Sequence, residues 1–249
     1  EKLTILANGA LVSEETKDGM KTSHWKLDYP CASYLACFAI GEFSVYQDKP
    51  LRDMPIAYFA DKSYTPEQLQ RTFEPTRKML IWMEKKLDMA FPYPKYFQIA
   101  GREVGGAMEN ISLVSWDDKF MLDETMAKEW KYIMDLINVH EMSHSYFGDA
   151  VVSYDFAHVW LKESWATYIE SVWLEDSEGI DAMHWQLAEE ASSYIGEAKN
   201  KYVRPIITRE YDHSWNMFDM HLYPGGAWRL HMLRQLVGEI GRASCRERV

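Results

Sequence analysis

The chain has 249 residues, 47% of them hydrophobic and 14% aromatic, enough to bury one large core or two. Its 38 acidic against 27 basic side chains give a formal charge of −11, which argues against a nucleic-acid partner. No apolar run approaches the roughly 20 residues that a membrane helix needs. Three cysteines, Cys31, Cys37 and Cys245, show neither metal-ligand nor disulfide spacing and are expected to be buried thiols. They tip the compartment towards the cytoplasm. The chain opens inside a strand pattern, however, so its natural N-terminus is expected to be missing, and localisation stays open.

Alternating apolar and polar residues predict strands from residue 3 to about residue 43, with turn signals at Asn8-Gly9 and Asp18-Gly19. The longest apolar run, residues 31–41, reads as a buried strand. A connection over residues 46–55 carries two prolines, and residues 56–60 read as the next strand. Residues 66–87 predict a long helix that is interrupted at Pro75 and resumes through Met79, Leu80, Met83 and Leu87. Short strands follow at residues 97–100 and 111–114. After Thr125 the pattern is mostly helical. Residues 241–249 break the apolar pattern, are basic in an acidic chain, and are expected to be a non-native tail.

The most informative segment is His140-Glu141-Met142-Ser143-His144. On a helix it sets two imidazoles one turn apart on one face with a carboxylate beside them, a geometry suited to Zn²⁺ and a catalytic base. Trp130, Ile133, Met134 and Ile137 recur at helical spacing, His140 and His144 continue that stripe, and Gly148 supplies a stop. The competing reading is a helix whose histidines are ordinary core or surface residues. After eighteen intervening residues comes Glu163, in the first turn of a second helical pattern that repeats Leu161, Trp165, Ile169 and Trp173 on one face. A catalytic zinc takes three protein ligands and keeps a fourth position for water, so two histidines and this carboxylate complete a set. Alternatively Glu163 is an acid favoured by the helix dipole. Thr167 and Glu170, one and two turns on, are candidate acceptors for the histidine N–H groups, or simply exposed.

Upstream, Gly105-Gly106-Ala107-Met108-Glu109-Asn110 precedes an apolar run. Together with His140, Glu141, His144 and Glu163 it resembles the Gly-x-Met-Glu-Asn signature and metal motif of the M1 family of zinc aminopeptidases, gluzincins that include membrane alanyl aminopeptidase and leukotriene A4 hydrolase. The resemblance implies an α+β fold: the end of an N-terminal β-sheet domain over residues 1–45, then a thermolysin-like catalytic domain over residues 46–240. It also implies one zinc per chain, held by His140, His144 and Glu163, with Glu141 as general base towards a zinc-bound water. Glu109 would bind the free α-ammonium of a peptide substrate, with Gly105, Gly106, Ala107, Met108 and Asn110 lining the substrate. Gly105 and Gly106 would let its backbone approach closely, though the pair also reads as a turn.

The family's oxyanion tyrosine sits in a Tyr-x-Lys-Gly context, and Tyr223-Pro224-Gly225-Gly226 is the matching position, with glycine in place of the lysine. Tyr211 and Tyr202 are fallbacks. Further departures are Lys162 and Ser164, where Asn and Gly are common, and Asp149 for Asn. The implied function is hydrolysis of N-terminal residues from peptides. The alternatives are an endopeptidase, a bifunctional enzyme of the leukotriene A4 hydrolase kind, and an inactive zinc- or peptide-binding module; Glu109 separates the first, since an endopeptidase needs no ammonium anchor.

Overall fold

The computed structural model describes the backbone of residues 3–246 and the side chains of residues 3–238. The expected tail at residues 241–249, and Cys245 within it, have no described side chains. The fold is α+β, built as two compact units, Glu1–Ala150 and Val151–Val249.

The first unit opens with strands β1 (Thr4–Ala7), β2 (Ala10–Lys17) and β3 (Met20–Lys26), followed after a single 3-10 turn by β4 (Phe38–Gly41). Asp18 and Gly19 both take positive φ, 51° and 77°, and close the β2–β3 hairpin as their sequence predicts. Asn8-Gly9 does not close a hairpin: β1 pairs with β4, and β2 with β3. The Asn8 side chain instead donates to the carbonyls of Leu35 and Ile111 and accepts from the Cys37 N–H, so the bend is fixed by distant backbone. The run at residues 31–41 is not a buried strand either. Only its last four residues are extended, Phe38 is 75% exposed and Cys31 is exposed, while Cys37 is half-buried. An apolar run reads alike whether a sheet covers it on both faces or on one.

A five-stranded mixed sheet follows, in the order β5 (Phe43–Gln47), β6 (Ile56–Asp61), β7 (Tyr96–Gly101), β9 (Leu113–Asp117), β8 (Ala107–Met108). The central strands β6, β7 and β9 are parallel, and both edges are antiparallel. Residues 56–60 of β6 are all buried, as a strand covered on both faces requires. Ala57 and Phe59 join Leu6, Ile99 and Leu113 in one core. On the opposite face Tyr58 meets Phe73, which meets Trp116.

Helices α1 (Pro66–Phe73) and α2 (Thr76–Leu87) connect β6 to β7. Thr65 and Gln68 form a reciprocal cap at the start of α1, Pro75 divides the two helices, and Asp88 ends α2 in the left-handed region at φ 53°. A buried polar chain then ties sheet to helices: Trp116 donates to Gln98, and Gln98 and Asn138 both donate to the Thr76 hydroxyl, at 2.9 to 3.0 Å. Asn138 lies on α3 (Met126–Ser143), the helix of the histidine motif.

The second unit is helical: α4 (Trp160–Ser177), α5 (Ile180–Asn200) and α6 (Pro224–Arg246), the last broken at Gly238, pack on one another in all three pairings. From Lys162 to Leu174 almost every residue of α4 is buried. The α4–α6 crossing is close because position 226 lacks a side chain: a Cβ there would lie 1.8 Å from the Ser164 hydroxyl oxygen.

Candidate active site

The N-terminus of α3 is set by Asp123, whose carboxylate accepts from the Thr125 and Met126 N–H groups at 2.8 and 2.7 Å. Regular helix ends at Ser143, and turns through Tyr146 and Phe147 carry the chain to Gly148 at φ 129°. The predicted apolar stripe is partly displaced. Met134 is buried, but Trp130 and Ile133 are exposed, and burial passes instead through Leu136, Asn138 and Val139 to Glu141 and Met142. Asn138 draws that face inward, because its amide has a partner at Thr76.

His140 and His144 present their rings 4.8 Å apart at 76°, on successive turns of one face. His144 is 1% exposed, and its Nδ1 lies 2.9 Å from the Phe147 carbonyl oxygen. A carbonyl can only accept, so Nδ1 carries the proton and Nε2 is left basic. Glu141, also buried, has Tyr96 nearby; burial above all, then the charges of Glu141 and Asp149, raise the Tyr96 phenol well above its ordinary pKa and keep it neutral.

The glycine-rich segment supplies the other part of this unit's site. Gly105 needs φ +86° and donates its N–H to Asp117, whereas Gly106 has ordinary backbone; a Cβ on either would meet nothing within 4 Å. Ala107 and Met108 form the edge strand β8, in register with Trp116 and Ser115. Asn110 accepts from Ser115 and donates to the Leu35 carbonyl, so its side chain is spent on fixing the end of β8. Glu109 is 5% exposed, and one donor atom from each of Glu109, Glu141 and His144 falls within 4.8 Å of the others. Three residues from two distant stretches of sequence thus converge.

In the second unit Glu163 occupies the first turn of α4 and is buried. Its Oε1 is 3.0 Å from the equally buried Lys162 ammonium, which also stands over the Phe218 ring. Thr167 donates to the Glu163 carbonyl at 2.9 Å, so its proton is engaged within the helix. Tyr223 immediately precedes α6 and packs with Val159, Met217 and Leu222. At Gly225, the position expected from the resemblance to carry lysine, a Cβ would come to 2.9 Å from the Tyr194 ring and 3.0 Å from the Met220 carbonyl oxygen. Of the fallback tyrosines, Tyr202 spends its hydroxyl on Asp219 at 2.9 Å, and Tyr211 lines a cavity of about 740 Å³ with Arg204 and Asp212.

Sequence reading missed a third cluster, the buried Glu197, Asp219 and His221. The Arg204 guanidinium covers both Asp219 oxygens at 2.6 and 2.7 Å, so a positive charge is already in place there. The spacing of Met217, Asp219 and His221 gives no hint of this, because the partner arginine is fifteen residues away.

Two imidazoles on adjacent turns, one with its tautomer fixed, beside two buried carboxylates form a site of metallopeptidase type. The chain belongs to peptidase family M1: the profile of the Peptidase family M1 domain matches residues 71–242. Aminopeptidase N of Lactobacillus helveticus is 28% identical over 234 residues, covering 91% of this chain and 27% of that protein. Aminopeptidase 2, mitochondrial, of Saccharomyces cerevisiae is 25% identical over 248 residues, covering 95% and 25%. Puromycin-sensitive aminopeptidase of Caenorhabditis elegans is 31% identical over 175 residues, covering 68% and 18%. The chain spans about a quarter of the length of such relatives.

Proposed function

We propose that the protein removes N-terminal residues from peptides by metal-assisted hydrolysis, on a catalytic domain of thermolysin-like architecture. The observation that carries this reading is the convergence of Glu109, Glu141 and His144 within 4.8 Å. A carboxylate that close to a base and a metal ligand accepts charge-assisted hydrogen bonds from a free α-ammonium and has no use for a chain that continues past it. The names of the relatives, aminopeptidases throughout, support the same reading.

In this reading His140, His144 and Glu163 hold one zinc. The donor set fits: two imidazoles and a carboxylate make a three-ligand catalytic site, and the Phe147 carbonyl already holds His144 through Nδ1, so that Nε2 is the nitrogen that would face the metal. A bound zinc supplies Lewis acidity and lowers the pKa of a coordinated water to about 7. Glu141 accepts the proton of the attacking water and passes it to the departing amine. The Tyr223 hydroxyl donates to the oxyanion that develops at the scissile carbonyl. Glu109 anchors the ammonium, and the open side of β8 beside Gly105 and Gly106 receives the substrate backbone.

Glu141→Gln tests the assignment. The variant is expected to keep its zinc and lose activity by about 10²-fold or more, the contribution of a positioned base. Substantial peptidase activity in the zinc-loaded Glu141→Gln protein would move the base elsewhere.

A further inference from the structure

Ser164 follows Glu163 directly, at a position where the family commonly has glycine, and its side chain is fully buried. Its hydroxyl donates to the carbonyl of Leu222 at 2.7 Å, and Leu222 is the residue before Tyr223. The space for that hydroxyl exists because position 226, three residues beyond Tyr223, carries no Cβ. Serine at 164 and glycine at 226 are therefore one fitted pair.

The segment on which Tyr223 hangs is also held by α5 and the chain that follows it. Arg204 donates to the Met217 carbonyl at 3.0 Å and grips Asp219 through both carboxylate oxygens. Asp219 in turn accepts from the Leu222 N–H at 2.9 Å. Glu197 accepts from the Met220 N–H at 2.7 Å and lies 3.1 Å from the His221 ring. Each of these ties is indifferent to α4. The Ser164 hydrogen bond, by contrast, refers the segment to the helix turn carrying Glu163.

We propose that Ser164 is a positioning residue for Tyr223, which through the Leu222 carbonyl fixes the height of the tyrosine hydroxyl relative to the α4 turn that bears Glu163. The inference rests on the reading of Tyr223 as the oxyanion donor. A donor must lie within a few tenths of an ångström of its place to act on the transition state, and a carbonyl gripped one residue away removes a rotation of the backbone that would otherwise move it.

The test is a double-mutant cycle in the full-length protein: Ser164→Ala, with Ser164→Gly as a second variant, each made in the wild-type and in the Tyr223→Phe background. Zinc content and thermal unfolding are measured beside kcat and KM for an aminoacyl substrate. The expected result is a kcat lower by about 10-fold, part of the ~10²-fold or more that losing the donor costs, with KM and zinc content held. In the Tyr223→Phe background the same change is expected to have no further effect on kcat. An equal loss in both backgrounds would make Ser164 a packing residue and overturn the proposal, as would an unaltered kcat in the single variants. If Tyr223→Phe alone leaves kcat untouched, the oxyanion reading itself fails, and this inference with it.

Discussion

The Nδ1–H of His144 donates to the backbone carbonyl of Phe147 three residues on, at 2.9 Å. The bond closes the turn in which α3 ends and, in the same stroke, selects the imidazole tautomer. Losing even an outer partner of a metal-bound histidine weakens metal binding by about 10- to 100-fold; losing the imidazole should do more. His144→Gln is therefore expected to emerge from gel filtration with little zinc, whereas the parent protein keeps one equivalent, loses activity to a chelator and regains it on adding Zn²⁺ back. Metal analysis decides the matter. One firmly held equivalent in the His144→Gln variant would take His144 out of the ligand set.

Glu109 is buried, and its neighbours are Glu141 and His144, so a substrate ammonium entering there finds negative charge it cannot find in solvent. A hydrogen bond to a charged group is worth about 1.5–3 kcal/mol, which is roughly 10- to 100-fold in kcat/KM. Glu109→Gln should lower kcat/KM for free aminoacyl substrates by that factor and leave N-acetylated substrates as poor as before, narrowing the gap between them. A variant that still prefers the free terminus by the parent's margin would place the ammonium elsewhere.

What was legible around the candidate site is local geometry: His140 and His144 share a helix face, as their spacing requires, and Gly105 takes the positive φ of a turn just ahead of the short strand that leads to Glu109. Of the parallel core strands, β6 was legible as an unbroken apolar run. What holds these pieces was not. Gln98 and Asn138 look like polar interruptions of buried elements until Thr76 is seen to accept from both, and Asn8 imitates a hairpin turn while bonding to Ile111. Hydrogen bonds between residues sixty or a hundred positions apart leave no periodicity, so only the fold displays them.

Gly225 is a departure that the structure explains, and the explanation can be broken. A Cβ at this position would press on the Tyr194 ring at 2.9 Å and the Met220 carbonyl at 3.0 Å, and the Gly225 carbonyl also accepts from Arg229 at 2.6 Å. Gly225→Lys, which restores the usual residue, should accordingly cost about 1–3 kcal/mol of stability, the range for overpacking a close contact. Adding Tyr194→Ala frees the ring side of the clash and should return part of that loss; the Met220 side is backbone and will not yield. Urea unfolding of the parent, the single variant and the double variant measures both effects. A Gly225→Lys protein as stable as its parent would show that the contact relaxes at no cost.

Glu190 sits buried on α5, its Oε1 accepting from Ser171 at 3.3 Å and from Gln186 at 3.4 Å, while its Oε2 has no hydrogen-bond partner among the described residues. Burial chiefly, and then the nearby Glu170 charge, push its carboxyl from 4.5 up to about 8. A group whose pKa is higher in the folded protein than in the unfolded chain holds its extra proton between the two values. Its contribution is therefore complete below pH 4.5 and is lost as pH rises towards 8, by an amount on the order of a few kcal/mol. Glutamine keeps the shape and the Oε1 acceptor but never ionises. Glu190→Gln should thus match the parent near pH 4.5 and exceed it in denaturant midpoint at about pH 8.5, with the gap opening through the interval between. A constant offset at both pH values would mean that the Glu190 carboxylate ionises in place without penalty, and that the α4–α5 interface is wetter than its burial implies.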